Sequence, residues 1–176
     1  MLLILLGPSG SGKTTQAEIL KRSYNFKKIV TYTTRSIREG EKNHESYNFI
    51  NKGQFEDKIK KNFFFEYTIY ANNYYGTSKE SIVNAAKSSY NFVLTVDGNG
   101  AKVLKEKIPC TTIYLEIPKE IIFKRLMTRG EKREIVEKRI KISENYRDIS
   151  DYVIDGTKSI ENITEEILKI YKKIRA

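Results

Sequence analysis

The chain has 176 residues, 32 Lys and Arg against 22 Asp and Glu, one cysteine (Cys110) and one histidine (His44). That length can bury a real core in one domain, a lone cysteine excludes an internal disulfide scaffold, and one Cys with one His excludes a zinc site of the usual kind. The formal net charge of +10 implies affinity for anions, but acids are interleaved with the basic residues, which speaks against a dedicated nucleic-acid stripe.

Leu2-Leu3-Ile4-Leu5-Leu6 is a continuous apolar run, the pattern of a strand buried on both faces. It has no basic leader and is too short for a signal peptide or a membrane span, so a soluble, cytoplasmic chain with no membrane partner is expected. A glycine-rich turn, 7–12, leads into helix-compatible residues from Lys13 to about Tyr24. An apolar run at Lys28–Tyr32 predicts a second strand. From 33 to 90 the rhythm breaks: the chain is polar, then rich in Tyr and Phe, and reads as small strands around a helix at 52–60, an insertion in the core. Strands are predicted again at Phe92–Val96, Thr112–Ile117 and Tyr152–Ile154, with helices at 99–107, 119–127, 132–147 and 159–174. Strands alternating with helices argue an α/β fold with a parallel sheet covered on both faces. Cys110 reads as a small core residue. The charged stretch Arg125–Arg139 reads either as a flap or as a solvated helix face.

Gly7-Pro8-Ser9-Gly10-Ser11-Gly12-Lys13-Thr14 satisfies G-x-x-x-x-G-K-[ST], after an apolar strand and at the opening of a helix. Glycines let backbone N–H groups curl round phosphate oxygens without a Cβ clash, and the helix N-terminus adds positive partial charge. Lys13 can reach the β- and γ-phosphates, and the Thr14 hydroxyl can ligate Mg²⁺. The expected architecture is therefore of the P-loop NTPase type, with ATP held by residues 7–15, Thr15 included. The motif alone does not separate a kinase from an ATPase, a GTPase or a motor.

A second anion site is suggested by Arg35 and Arg38, three apart, with Tyr47 beyond them. Arginine forks hold phosphate bidentately and keep their charge. The alternative is two solvated surface arginines. One triphosphate site, one monophosphate site and a closing lid are what a nucleoside monophosphate kinase needs.

The chain resembles guanylate kinase over nearly its whole length. The resemblance is carried by the phosphate loop, by Thr33-Thr34-Arg35-x-x-Arg38-x-Gly40-Glu41 leading to Tyr47-Asn48-Phe49, and by Phe65-Glu66-Tyr67. Asn73-Tyr74-Tyr75-Gly76-Thr77, Asp97-x-x-Gly100 and Arg125-Leu126-x-x-Arg129-Gly130 complete it. It implies a CORE (1–32, 91–125 and 143–176), a GMP-binding α+β insertion (33–90) and a helical LID (126–142). It further implies that Arg35, Arg38, Tyr47 and Tyr75 hold the GMP phosphate, that Glu66, Thr77 and Thr31 read guanine, and that Asp97 orients nucleotide or hydrated Mg²⁺. Arg125, Arg129 and Arg139 would join Lys13 and Arg38 at the transferring phosphoryl group. ATP, GMP and, by extension, dGMP are the implied substrates.

The reading of Glu66 has a physical basis. Guanine presents N1–H and N2–H as adjacent donors, which one carboxylate accepts together, whereas adenine would leave that carboxylate unpaired. By itself, Glu66 reads as a solvated acid at a strand edge. Departures from the family pattern are Thr95 in place of a common aspartate, Asn99 for glutamine, His44, Ser46, and Asp155 for asparagine. Two competing readings are a ribose 1,5-bisphosphate phosphokinase, which Asn43-His44 suggests and Glu66 opposes, and a non-catalytic binding module, which the intact phosphate loop opposes.

Overall fold

The computed structural model describes residues 1–141 and 145–175. The chain opens with β1 (Leu2–Leu6), α1 (Lys13–Ser23) and β2 (Phe26–Lys28). The insertion follows as β3 (Tyr32–Thr33), β4 (Asn48–Phe49), α2 (Lys52–Lys60), β5 (Phe64–Tyr70), β6 (Asn73–Ser78) and α3 (Lys79–Lys87). The rest is β7 (Asn91–Thr95), α4 (Gly98–Lys107), β8 (Thr111–Glu116), α5 (Lys119–Thr128), α6 (Arg133–Lys141), β9 (Tyr152–Asp155) and α7 (Ile160–Arg175).

The central sheet has the order β2-β7-β1-β8-β9, and every pair in it is parallel. The alternation of side chains along β1 explains why its run is apolar throughout. Leu3 and Leu5 pack with Ala17 and Leu20 of α1 and Ile163 and Ile167 of α7. Leu2, Ile4 and Leu6 pack on the other face with Ile82 of α3 and Ala101 and Leu104 of α4. From β1 the chain crosses to the β2 edge, and from β7 it crosses the other way to β8. The helices after the neighbouring strands β1 and β7 therefore lie on opposite faces, which opens a crevice at the carboxyl ends of these strands.

The second sheet has the order β4-β3-β6-β5. Strands β5 and β6 form a hairpin whose two turn residues, Ala71 and Asn72, both have positive φ (48° and 63°). An aromatic cluster supports it: Phe55 stacks on Phe64 and Tyr74, with ring centroids 4.3 and 5.0 Å away. Gly76 leaves room for this cluster, since a Cβ there would lie 2.9 Å from the Phe64 ring. A reciprocal Asn51–Gln54 capping box starts α2 where the sequence places it.

Three expectations need correction. The run 28–32 is not one strand. Ile29 N–H still bonds Val93 O, but Thr31 O accepts from Asn48 N–H, so the backbone changes partner from the central sheet to the small one. Helix α3 was not expected; Ser78 caps it by accepting from Ser81 N–H, and Ile82 and Ala85 bury against the core. The helix expected at 132–147 is α6, which spans Arg133–Lys141; 142–144 lie outside the described residues, and 147–149 form a 3-10 turn. The expected LID boundary at 142 and the start of the last CORE segment at 143 thus fall outside the described residues. Ile117, Ile122 and Leu126 meet Val136 in a small separate core that holds α5 and α6 together.

Candidate active site

The phosphate loop leaves β1 at the crevice. Gly12, immediately before α1, has φ +96°, a left-handed conformation that a side chain would strain. Gly7 is needed for space, because a Cβ there would stand 2.9 Å from Leu115 O. No side chain caps α1 and no acid lies in its first turn, so its N–H donors and positive end face the crevice uncompensated. Lys13 Nζ donates to Gly7 O and, at 2.9 Å, to Pro8 O. The lysine is half-buried as a whole, but its ammonium end is enclosed, and this burial pushes its pKa down to about 8; Asp97 acts in the opposite sense and Arg129 in the same sense.

A cavity of about 700 Å³ runs from this loop to the small sheet. At the far end, Arg35 is buried and its guanidinium grips Glu41 through two bonds of 3.0 and 2.7 Å. Glu41 also accepts from Arg38 N–H at 2.8 Å, and these cations hold its carboxyl below the usual range against the opposing effect of burial. The Arg35 guanidinium lies 5.3 Å from the Tyr47 ring, and Tyr47 meets Tyr75 edge-on at 6.2 Å. The structure thus brings Arg35, Arg38, Tyr47 and Tyr75 to one wall.

Glu66 is not a solvated acid: only 5% of it is exposed. A β-bulge between Phe64 and Glu66 sets two residues of β5 against one of β6. Phe65 packs on the central core, and Glu66 turns into the cavity opposite Thr77, whose hydroxyl donates to it. Burial raises the Glu66 pKa to about 7; the Thr77 bond pulls it down and Asp97 pushes it up. Helix α4 reaches the carboxylate through Gly100, where a Cβ would stand 2.6 Å from Glu66 Oε2. Gly100→Ala is therefore expected to push Glu66 off its position and to weaken binding of a guanine nucleotide by about tenfold or more, measured by titration beside an unchanged circular dichroism spectrum. Asp97 caps α4 by accepting from Gly100 N–H at 2.9 Å.

On the side of α5 and α6, Arg129 and Arg139 line the cavity. Arg139 is held by Glu131 at 2.9 and 2.7 Å, and its Nε has no partner among the described residues, a donor suited to an anion. Arg125 sits elsewhere. It does not line the cavity but donates to Gly10 O (3.1 Å) and Gly156 O (3.0 Å), which ties the phosphate loop to the chain after β9. Ser11 and Thr77 also do not line the cavity; both are buried. The remaining expected residues, namely 7–10, 12–15, Thr31, Arg35, Arg38, Tyr47, Glu66, Tyr75, Asp97, Arg129 and Arg139, all line it.

The donors fit a magnesium ion carried by substrate. No group of three or more His, Cys, Asp or Glu able to hold a metal occurs among the described residues. Thr14 is an exposed residue of the cavity wall, and Asp97 lines the same cavity. Mg²⁺ binds in such sites through phosphates and waters with few protein ligands.

One cavity thus joins the glycine-rich loop before α1, the wall of Arg35 and Arg38, and the buried Glu66 carboxylate. The guanylate kinase family model matches residues 1–174. The chain belongs to the guanylate kinase family. It is 36% identical to a guanylate kinase of Prochlorococcus marinus (strain MIT 9312), over 99% of this chain and 96% of the relative. A guanylate kinase of Helicobacter pylori (strain ATCC 700392 / 26695) is 35% identical over 98% of this chain and 87% of its own length. The crystal structure of guanylate kinase from Anaplasma phagocytophilum superposes with a TM-score of 0.74 at 23% identity, covering 98% of this chain and 85% of that one, which bears on the fold.

Sequence reasoning missed Thr68 and Tyr70, which follow Glu66 at every second position of β5 and line the cavity. That alternation was legible once 64–70 was read as a strand. It also missed Glu131, one of three acids (with Glu134 and Glu137) in a mixed-charge stretch, where nothing local sets it apart from the other two.

Proposed function

We propose that this member of the family transfers the γ-phosphoryl group of ATP to GMP, giving ADP and GDP, in cytoplasmic purine nucleotide metabolism; dGMP serves as a second acceptor. The observation that carries the reading is the single cavity with the phosphate loop at one end and Arg35, Arg38 and buried Glu66 at the other. An oxygen of the GMP phosphate forms the new bond to the γ-phosphorus. The bond from that phosphorus to the β–γ bridging oxygen breaks, and its electron pair leaves on ADP. The attacking oxygen is already ionised, so no side chain needs to act as a general base.

In this reading the chain's work is positioning and charge neutralisation. Loop 7–15 and the start of α1 cradle the ATP phosphates. Arg35, Arg38, Tyr47 and Tyr75 hold the acceptor phosphate, Glu66 and Thr31 read its base, and buried Thr77 orients the Glu66 carboxylate. Lys13, Arg129 and Arg139 face the transferred group, and Arg125 holds the loop that cradles it. Mg²⁺, when bound with ATP, supplies charge neutralisation at the phosphates; Thr14 would ligate it and Asp97 would accept from its water shell. A sugar bisphosphate lacks the adjacent coplanar N–H donors of guanine that suit the Glu66 carboxylate, which disfavours the phosphokinase reading.

The test is ADP release from ATP with GMP, dGMP, AMP, UMP or ribose 1,5-bisphosphate as acceptor. Turnover with GMP and dGMP far above the others is expected; preference for the bisphosphate would overturn the reading. Thr95, at the end of β7, lines the cavity two residues before Asp97. Thr95→Asp is expected to lower the Mg²⁺ concentration for half-maximal rate several-fold, as an outer carboxylate is worth on the order of 1 kcal/mol. Asp97→Asn should raise that concentration while keeping α4, because asparagine is as good an N-cap. An unmoved Mg²⁺ titration in both variants would remove these residues from metal binding.

A further inference from the structure

We infer that Glu131 is a positioning residue that competes with phosphate: its carboxylate pairs with Arg38 and Arg139 across the cavity and must yield them when a substrate phosphoryl group arrives. The inference rests on the kinase reading for its place in the reaction, though not for its geometry. Arg38 Nη2 donates to Glu131 at 3.0 Å, from a loop 93 residues away in sequence. Arg139 Nη1 donates to both Glu131 oxygens. All three residues line the cavity, and the side chains of Glu131 and Arg139 are only 14% and 10% exposed.

Electrostatics gives the pair its reason. Arg38 feels the like charges of Arg35 and Arg139, which together with burial lower its pKa, and Glu131 opposes them. Glu41 does the same for Arg35, but the two acids differ in where they are anchored. Glu41 lies on the same loop as both arginines and is bonded to Arg38 N–H. Glu131 lies beyond Gly130, which ends α5 with φ +76°, and so belongs to the lid. It links the lid to the acceptor-phosphate loop through N–H donors that a phosphoryl group also needs. A carboxylate and a phosphate of like charge cannot share those donors fully, so Glu131 holds the lid near the site, aligns both guanidiniums, and is displaced as they close on phosphate.

The test compares Glu131→Gln, Glu131→Asp and the parent protein, all full length. Inorganic phosphate and GMP are titrated calorimetrically, with guanosine as the phosphate-free control. Glu131→Gln keeps the shape and loses the charge. It is expected to bind inorganic phosphate and GMP about five- to tenfold tighter, as removal of one charged competitor for these donors allows, with guanosine unchanged. Glu131→Asp should return the affinity towards the parent value. Hydrogen exchange across 126–141 should rise in free Glu131→Gln and match the parent once GMP and an ATP analogue are bound. Unchanged or weaker phosphate binding in Glu131→Gln overturns the inference, as does an equal change for guanosine. If GMP is not phosphorylated by the parent but the inorganic phosphate effect holds, the kinase reading falls and the Glu131 inference stands.

Discussion

Lys13→Ala is expected to lower kcat by about 10²–10³, the range found when one preorganised donor to a developing charge is removed. GMP affinity should change by less than about threefold, because Lys13 faces the transferred group and not the acceptor. Steady-state kinetics with both substrates varied, beside calorimetric GMP binding, checks this split. Near-normal turnover would remove the phosphate loop from the mechanism. The pH profile follows from the depressed pKa of about 8. The ammonium is the useful form, so kcat/KM for ATP should fall as pH rises through 8, and kcat should hold to higher pH because bound phosphate favours the charged form. The same shift predicts a stability effect. Between pH 8 and the unfolded value near 10.5 the native state binds fewer protons than the unfolded one, so stability rises with pH across that window. At pH 7 the buried charge is a cost, and Lys13→Ala should have the higher Tm.

Glu66→Gln is expected to reduce kcat/KM for GMP by about 10²-fold, since hydrogen bonds to a charged group are worth about 1.5–3 kcal/mol and an amide supplies one donor in the wrong place. The discrimination against AMP, on the order of 10⁴ or more for a site built round polar groups, should narrow accordingly. The pH dependence again has a definite sign. The Glu66 carboxyl titrates at about 7, whereas guanine's two donors call for the carboxylate. GMP binding should therefore release a proton below pH 7 and weaken as pH falls, and Glu66→Gln should abolish the Glu66 share of that dependence. The protonation of the GMP phosphate itself, near pH 6, remains in both proteins and is subtracted by the comparison. In the free protein, the raised pKa means that the native state binds more protons than the unfolded chain between about 4.5 and 7, so stability falls across that window. At pH 8 Glu66→Gln should unfold at a higher temperature than the parent while binding GMP less well. A variant with unchanged GMP kinetics would show that another residue reads the base.

Much of this was legible along the chain. The run Leu2–Leu6 is apolar at every position because both faces of the central strand are covered, by α1 and α7 on one side and by α3 and α4 on the other. The glycines of the phosphate loop and Lys13 sit at a spacing that a strand, a tight turn and a helix start impose locally. The helix expected at 52–60 between the short aromatic runs is α2, Lys52–Lys60. Such features are set by backbone dihedrals and by side-chain period within a few residues, so they need no knowledge of the fold.

The features that took the folded chain to see join segments far apart in sequence. Residues 28–32 divide between two sheets: Ile29 N–H bonds Val93 O of the central sheet, whereas Thr31 O accepts from Asn48 N–H of the small one. Glu66 is a cavity acid because of one extra residue in β5 and because α4 arrives with a glycine beside it. Arg125, taken from its motif as a residue facing the phosphates, spends its donors on two backbone carbonyls, one of them 115 residues away. Glu131 meets Arg38 across 93 residues. Hydrogen bonds and ion pairs of this kind depend on where two elements are brought by packing, and they leave no period or composition in the segments they connect.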